Sequence, residues 1–342
     1  MSSPIYLTSK TSIETDWSCP MKWWWQKHEG GTGIIPAVEP AYFLEGRQLH
    51  SDLEPYARGA TVGQVMEGLP SLESVAPDQI ALELLCRRIG FAAAFGLYIE
   101  PILRDGADEV LVEDEIILER DPLWISAKPD RVQRGHGQGL RWREWKSTST
   151  TRQEWVQSWA YSPQLHIGLA ALGEELKEKL DFASILGFYK GHDQGGKLHH
   201  PYVWAYRSPQ GKWSADYTYG WEKVGVWEYA GGVEQWVRDC GEDVSRRVFL
   251  WSAPVFLDER IVNSIVLAQT ERMREVGEVK GACQAIWELR QLHFPQHFNE
   301  CRPPYGSACS YLGACHNASV NADPVGSGMY RVRPIHTEVE NE

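Results

Sequence analysis

The 342-residue sequence lacks any apolar run long enough to cross a bilayer. Its first residues, MSSPIYLTSKTS, lack the basic and apolar regions of a secretory signal peptide. It contains no G-x-x-x-x-G-K-[ST] loop, which excludes a P-loop motor within these residues. Internal repeats, low-complexity tracts and Pro/Gly/Ser-rich linkers are also missing, so nothing divides the chain. We therefore expect a cytoplasmic protein with no membrane partner, folded as a single domain over residues 1–342.

An excess of positive charge is missing too, since the formal net charge is −12. This composition argues against a protein that coats nucleic acid through bulk electrostatics. One segment differs, because residues 128–152 contain seven basic and two acidic side chains. Arg131, Arg134, Arg141 and Arg143 are therefore candidates for phosphate contacts, although an ordinary solvated hairpin would carry the same charges.

The pattern of apolar residues predicts an α/β fold with a mixed central sheet flanked by helices. Helical spacing is found in the ranges 9–28, 41–58, 78–95, 152–180 (with a break near Pro163) and 258–291. Runs of β-branched and aromatic residues predict strands at 110–119, 123–133, 140–148 and 183–190. Residues 199–207 are expected to extend the same sheet after a glycine-rich hairpin.

Two successive predicted strands carry an acid after a proline and then a Glu-x-Lys sequence. The turn RGHGQG separates Asp130 from Glu144, so both side chains can point toward one place. Glu144 and Lys146 are two residues apart on a strand and share a face. Two carboxylates can hold Mg²⁺ or Mn²⁺, while a lysine can position a water molecule and stabilise negative charge. The arrangement meets the requirements of phosphodiester hydrolysis. A buried structural ion pair between Glu144 and Lys146 is the alternative.

Three of the seven cysteines lie close together in CRPPYGSACSYLGAC, namely Cys301, Cys309 and Cys315. Without secretion signals, this spacing favours metal ligation over disulfides. Four thiolates would complete such a site, and the fourth can be distant in sequence. The apolar, helix-like surroundings of three others predict core positions for Cys86, Cys240 and Cys283.

The PD and EWK motifs together resemble the signature of the PD-(D/E)XK nucleases. Upstream, EGRQLH resembles the G-x-x-x-H helix of the RecB-like branch of that superfamily. The resemblance implies a restriction-endonuclease-like core in which His50 binds metal together with Asp130 and Glu144. It also implies that Gly46 allows close packing of the helix that carries His50.

The RecB-like branch usually carries a Q-x-x-x-Y motif after the lysine strand, and two glutamines compete for it here. Gln157 with Tyr161 fits the letters of the motif. Gln164 fits the apolar context of PQLHIGLAAL better, but it places Gly168 where the tyrosine is expected. We favour Gln164 as a further residue of the catalytic site, where the resemblance implies that it contacts DNA or supports the lysine.

The sequence SCPMKWWW resembles the opening of iron–sulfur RecB-like nucleases, which include AddB-type subunits, CRISPR-associated exonucleases and phage exonucleases. The resemblance implies that Cys19, Cys301, Cys309 and Cys315 hold a [4Fe–4S] cluster, with zinc as the rival. Residues 9–28 and 292–318 would then form a cluster subregion that joins the N- and C-terminal segments.

Taken as a whole, the resemblance implies a metal-dependent DNA exonuclease of phage or prokaryotic DNA recombination or processing. DNA is the expected partner, and a helicase, recombinase or other DNA-processing protein is a candidate second partner. Two alternatives stay open. A structure-specific DNA endonuclease would use the same metal site, and a catalytically silent iron–sulfur DNA-binding subunit would keep the same fold.

Overall fold

The computed structural model describes residues 6–29, 33–38, 41–75, 78–136, 139–149, 153–193, 198–285, 287–297, 301 and 309–333. The α-helices are α1 (Lys10–Ser18), α2 (Pro20–Lys27), α3 (Ala41–Ala57), α4 (Val62–Glu67), α5 (Gln79–Ala94), α6 (Glu100–Arg104), α7 (Gln153–Gln157), α8 (Pro163–Glu175), α9 (Gly232–Arg246), α10 (Glu259–Ala285), α11 (Trp287–His293), α12 (Leu312–His316) and α13 (Ala318–Ala322). The strands are β1 (Tyr6–Ser9), β2 (Ile34–Pro36), β3 (Ala107–Leu111), β4 (Ile116–Arg120), β5 (Leu123–Ala127), β6 (Arg131–Gly135), β7 (Leu140–Thr148), β8 (Leu180–Tyr189), β9 (His192–Asp193), β10 (Leu198–His199), β11 (Trp204–Arg207), β12 (Trp213–Ser214), β13 (Glu222–Gly225), β14 (Phe249–Trp251) and β15 (Tyr330–Val332).

The central sheet has five strands in the order β14-β8-β7-β6-β3. Strands β7 and β8 are parallel, whereas the other three neighbouring pairs are antiparallel. A second sheet has the order β1-β5-β4, with β1 parallel to β5. This mixed sheet flanked by helices confirms the predicted α/β fold class with a restriction-endonuclease-like core.

Strand β7 is covered on both faces, because its alternating side chains enter two different cores. Trp142 packs with apolar residues of α8 such as Leu165. Trp145 points to the opposite face and packs with Phe91 of α5 and with Phe188. Strand alternation therefore places Glu144 and Lys146 on the face of Trp142, toward α8.

Two of the predicted strands were too long. The range 110–119 contains the end of β3, a turn and the beginning of β4, and the range 123–133 is divided between β5 and β6. The two halves of each range enter different sheets. Pro129 cannot donate a hydrogen bond to a neighbouring strand, which favours an interruption there.

Residues 199–207 do not extend the central sheet, so that prediction was wrong. Strand β11 pairs instead with β12 and β13 in a separate three-stranded sheet. Proline also divides two of the predicted helices. The range 9–28 forms α1 and α2, since Pro20 opens α2, and the range 152–180 restarts as α8 at Pro163, where a break was expected.

The N- and C-terminal parts of the described chain pack against each other. Strand β2 pairs with β15, and the hydroxyl of Tyr311 donates a hydrogen bond to the Ile34 carbonyl at 2.8 Å. The side chains of Trp23, Trp24 and Trp25 are each at most 1% exposed and form a core with these segments. Within the described ranges, none of the helices combines the length and apolar character that a bilayer span requires.

Candidate metal centre

Asp130 and His50 meet where helix α3 lies against strand β7. Asp130 precedes β6 directly, and its Oδ2 accepts a hydrogen bond from the Trp145 N–H at 2.5 Å. Its Oδ1 lies 3.1 Å from Nδ1 of His50. The Asp130 side chain is buried while His50 stays partly open to solvent. The carboxylate is therefore held by the backbone of β7 and directed toward the imidazole.

Glu113 completes this group and was missed by the sequence analysis, which placed it inside a strand. It lies in the turn between β3 and β4, and its Oε1 is 3.7 Å from Nδ1 of His50. Ligand atoms of His50, Glu113 and Asp130 all lie within 4.8 Å of one another. We call these three residues the metal group. The acidic run VEDE was the available signal, but nothing in it distinguished one acid from another.

The backbone at Glu113 adopts a conformation that non-glycine residues seldom show. Its φ is 58°, in the left-handed region, and its N–H donates to the Pro129 carbonyl at 3.1 Å. Strained backbone of this kind is concentrated at functional sites. The hydrogen bond fixes the Glu113 turn to the segment that carries Asp130.

The metal group has a strongly negative local field. Burial lowers the pKa of His50, but the charge and hydrogen bond of Asp130, together with the hydrogen bond to Glu113, outweigh burial and raise the pKa to about 10. Two carboxylates and an imidazole are donors that a divalent cation can bind. The donor set therefore fits a metal ion.

Glu144 lies beside the metal group and is surrounded by hydrogen-bond donors. Lys146 Nζ donates to its Oε1 at 2.8 Å, Lys10 Nζ at 3.2 Å and Gln164 Nε2 at 2.5 Å. Its side chain is only 2% exposed. Burial raises the pKa of Glu144, but the charges of Lys10 and Lys146 outweigh it and lower the pKa to about 2. We call these four residues the Glu144 cluster.

Lys10 is a second residue that sequence reasoning missed. It is the first residue of α1, it is 5% exposed, and its Nζ also donates to the Lys128 carbonyl at 3.1 Å. The parallel pairing of β1 with β5 places Lys10, which directly follows β1, in this position. No sequence pattern linked residue 10 to Glu144, because they are far apart in the chain.

The structure brings Gln164 and not Gln157 to the Glu144 cluster. Gln164 is buried, whereas Gln157 is exposed at the end of α7 and Tyr161 is 80% exposed. A side chain at Gly168 has no room, since a Cβ there would lie 2.3 Å from Cη2 of Trp142. The Trp142 ring thus occupies the space beside α8 that a tyrosine at position 168 would need.

The other residues singled out in the sequence have mixed outcomes. Gly46 is not needed for close packing of α3 against any described residue, because a Cβ atom at this position would have no neighbour within 4 Å. Arg131 cannot contact phosphates, since it is 0% exposed and forms ion pairs with Glu100 and Glu109. That prediction was wrong for Arg131, whose charge is neutralised inside the protein.

The three remaining arginines of this segment differ in their surroundings. Arg134 is exposed and forms an ion pair with Glu178 at 2.6 Å. The guanidinium groups of Arg141 and Arg143 lie over the ring of Phe182, at 5.7 and 5.2 Å from its centroid. Phosphate contacts by these three residues stay a prediction.

Four cysteines meet where α1 ends and α2 begins. Cys19 separates the two helices and is 4% exposed, and Cys301 is 8% exposed. The N–H of Cys309 donates to the Cys301 carbonyl at 2.9 Å, and Trp25 Nε1 donates to Cys315 Sγ at 3.2 Å. We call Cys19, Cys301, Cys309 and Cys315 the cysteine group.

The thiols of the cysteine group are close enough to affect one another. Burial, together with the neighbouring Cys309, Cys19 and Cys301, raises the pKa of the Cys315 thiol to about 12, although the hydrogen bond from Trp25 opposes this rise. Of the described residues, only the metal group places three ligand atoms within 4.8 Å of one another. The four sulfurs of the cysteine group are therefore near each other, although no three of them lie mutually within 4.8 Å.

The remaining cysteines lie apart from this group. Cys86 and Cys283 are fully buried, as predicted for core residues, and Cys240 is half-buried. Burial raises the pKa of Cys86 to about 12 and that of Cys240 to about 11. These thiols therefore resist ionisation.

The mixed sheet carries an acid before one strand and a Glu-x-Lys sequence on the next, with a helical histidine beside them. This combination defines the class of metal-dependent phosphodiester hydrolases. The PD-(D/E)XK nuclease superfamily model matches residues 8–316, and the chain belongs to this superfamily. No curated protein matches the chain. The match spans the metal group, the Glu144 cluster and the cysteine group.

Proposed function

We propose that this protein is a metal-dependent DNA exonuclease of the RecB-like, iron–sulfur type, acting in phage or prokaryotic DNA recombination or processing. The observation that carries the proposal is the metal group next to Glu144 and Lys146 in a chain of the PD-(D/E)XK nuclease superfamily. The family accounts for phosphodiester hydrolysis, and the resemblance to iron–sulfur RecB-like nucleases adds the preference for DNA ends.

His50, Glu113 and Asp130 would hold Mg²⁺ or Mn²⁺, with Glu144 as a further carboxylate at its edge. The carboxylate oxygens and imidazole nitrogen are near enough to share one ion. When bound, a divalent cation neutralises charge on the phosphate and favours the nucleophilic form of water. Burial of Asp130 and its hydrogen bond from the Trp145 N–H fix the position of this carboxylate before a metal ion binds.

Lys146 would position the attacking water and stabilise the charge that develops on the phosphate. Its Nζ is held by Glu144 at 2.8 Å, and its side chain is 28% exposed, so it can reach a substrate. Lys10 and Gln164 act through Glu144 instead. Both donate to Oε1 of this carboxylate and keep its orientation fixed, as supporting partners of ligands do in other metal sites.

The cysteine group would hold a [4Fe–4S] cluster. The donor set of four buried or half-buried thiols, brought together from the α1–α2 junction and the C-terminal segment, suits such a cluster. A cluster here would tie the α1–α2 junction to the C-terminal segment and so close a single domain. Its role would be structural.

DNA would be the partner, reached through the exposed parts of the basic segment and the open side of the metal group. Arg134, Arg141 and Arg143 remain candidates for phosphate contacts. Because the sequence carries no P-loop, unwinding of a duplex would depend on a helicase or another DNA-processing protein.

A cleavage assay tests the proposal, using linear single strands, linear duplexes and end-blocked circles with Mg²⁺ or Mn²⁺. We expect nucleotides to be released from free ends of the linear DNA, and Lys146→Ala to cleave about 10²–10³-fold more slowly. Discrete cuts in closed circles would instead identify an endonuclease. Absence of cleavage on every substrate, with DNA binding retained, would identify a silent DNA-binding subunit and overturn the proposal.

A further inference from the structure

Two arginines of strand β7 differ from the other arginines of the central sheet, because they have no acidic partner. On the neighbouring strand β6, the charges of Arg131 and Arg134 are each neutralised by glutamates. Neither Arg141 nor Arg143 forms an ion pair with any residue in the described part of the chain. In a protein with a net charge of −12, these two positive charges are therefore left without local compensation.

The absence of a counter-ion has a cost at Arg143. This residue lies directly opposite Arg131 in the sheet, and like charges on neighbouring strands are destabilising. Burial and the charges of Arg141 and Arg131 lower the pKa of Arg143 to about 10. The Nε atoms of Arg141 and Arg143 are buried and have no hydrogen-bond partner among the described residues. An anion bound from outside would supply both the missing charge and the missing acceptors.

The two arginines lie on the far side of the sheet from the proposed hydrolytic residues. Side chains alternate along β7, so Arg141 and Arg143 project from the face opposite to that of Glu144 and Lys146. On that face, Arg143 Nη1 donates a hydrogen bond to Ser184 Oγ of β8 at 2.5 Å. An anion held by these arginines would therefore be separated from the metal group by the sheet itself.

Aromatic rings surround the two guanidinium groups. Both lie over Phe182, and that of Arg143 is also 5.4 Å from the ring centroid of Trp251. Phe256 contacts Phe182 edge to face, and its side chain is 64% exposed, while that of Trp251 is 38% exposed. A guanidinium stacked on a ring keeps N–H groups at its edge for a phosphate. We call Arg141, Arg143, Phe182, Trp251 and Phe256 the arginine–aromatic patch.

We propose that the arginine–aromatic patch is a second binding surface for single-stranded DNA, separate from the metal group. Arg141 and Arg143 bind phosphates, while Trp251 and Phe256 stack on neighbouring bases. Positive charge combined with exposed aromatic rings is typical of surfaces that bind single strands, whereas the paired bases of a duplex offer these rings no partner. The inference rests on the proposed nuclease function for the choice of DNA, and it adds a contact that takes no part in hydrolysis.

The double variant Arg141→Gln/Arg143→Gln tests the phosphate contacts. Its matched control is Arg238→Gln/Arg246→Gln, which loses the same net charge from exposed ion pairs on α9. Binding of a long single-stranded oligonucleotide is measured by fluorescence anisotropy in EDTA over a range of salt concentrations, so that neither metal binding nor cleavage contributes. The slope of log Kd against log salt should fall by about 1.4 in the first variant, since each single-strand phosphate contact contributes about 0.7. The control should keep the wild-type slope.

The substitution Phe256→Ala tests base stacking on the same patch. It should weaken binding of the single strand roughly tenfold and leave the affinity for a blunt duplex unchanged, as expected for loss of one stacked base. Tyr219→Ala is the control, because Tyr219 is an aromatic residue of another surface and is 91% exposed. Circular dichroism melting curves show whether each variant is folded.

An unchanged salt slope in Arg141→Gln/Arg143→Gln overturns the proposal, as does an equal fall in the control. If the double variant does not fold, Arg141→Gln alone replaces it, with a fall of about 0.7 as the expected result. Loss of poly-glutamate binding with unchanged DNA binding would assign the patch to an acidic protein and also overturn the proposal. Cleavage with Mn²⁺ is measured separately. A protein that binds single strands through the patch but cleaves nothing contradicts the nuclease function and leaves this binding surface standing.

Discussion

The metal group with its Glu144 cluster and the cysteine group lie at opposite ends of helix α1. Lys10 begins this helix and contacts Glu144, and Cys19 follows its last residue. Nine residues of α-helix span about 13 Å. The two sites also differ in what stabilises them, because Glu144 has protein counter-ions on α1 and β7, while the Cys315 thiol has the neutral indole of Trp25.

This difference indicates how each site should respond to mutation. In a charged site with several counter-ions, part of the charge compensation remains when one residue is replaced. Such a replacement should therefore reduce the cleavage rate more than the stability of the fold. Four thiols that are ligands of a cluster depend on that cluster, because metal binding is part of the folding free energy in such sites. We therefore expect the cysteine group to control the fold and the other site to control the reaction.

The largest effect is expected from Cys315→Ala. Loss of one thiolate should release the proposed cluster and lead to unfolding or aggregation, since the cluster would join residue 19 to residues 301, 309 and 315 and close almost the whole chain. Anaerobically purified wild-type protein should be brown and contain about four irons per chain. Iron analysis and thermal melting of Cys315→Ala are compared with Cys86→Ala, which should keep iron. A colourless wild-type protein with one zinc would contradict the cluster.

Lys146→Ala should reduce the cleavage rate by about 10²–10³-fold, as expected for removal of a group that stabilises the transition state. Its Tm and iron content should stay close to those of the wild type. The exposed Lys212→Ala serves as the control and should cleave normally. Near-normal cleavage by Lys146→Ala would remove this lysine from the mechanism.

Glu113→Gln should weaken Mn²⁺ binding by about 10–100-fold, because one of the carboxylates of the metal group is neutralised. Titration calorimetry with Mn²⁺ measures this without any cleavage reaction. Glu115→Gln is the matched control, since Glu115 is exposed two residues away. Equal Mn²⁺ affinity in the two variants would show that Glu113 is not a ligand.

Lys10→Met should lower the maximal cleavage rate by about tenfold through misplacement of Glu144, with little change in DNA affinity. The iron content should be unchanged, because a substitution at the start of α1 should not disturb Cys19 at its other end. The exposed Lys179→Met provides the comparison. Lys10→Arg should restore part of the rate, whereas a purely packing role would leave Met and Arg equally impaired.

An effect of similar size distinguishes the two glutamines. Gln164→Ala should reduce cleavage roughly tenfold, since it removes a buried hydrogen bond to a charged carboxylate. Gln157→Ala should have no effect, because Gln157 is exposed. The reverse result in a cleavage assay would assign the family motif to Gln157.

Much of the candidate site followed from local patterns. Asp130, Glu144 and Lys146 could be placed from two strand-like segments with a turn between them, since strand alternation fixes which residues share a face. Gln164 followed from the apolar context of its helix. Glu113 could not be recognised, because its position depends on a turn with φ of 58° that separates β3 from β4. Arg131 was misassigned because no local pattern revealed Glu100 and Glu109 as its partners.

The sequence by itself determined the α/β class, the PD and Glu-x-Lys segments and the break at Pro163, because backbone geometry and side-chain alternation act over a few residues. Only the tertiary structure decided that Lys10 reaches Glu144, that Glu113 joins His50 and Asp130, and that Trp142 fills the space beside Gly168. These contacts join residues that are distant in the chain, and their energies depend on burial and on charges supplied by other elements. The local sequence pattern contains no information on the burial of a residue or on the charges that distant elements place beside it.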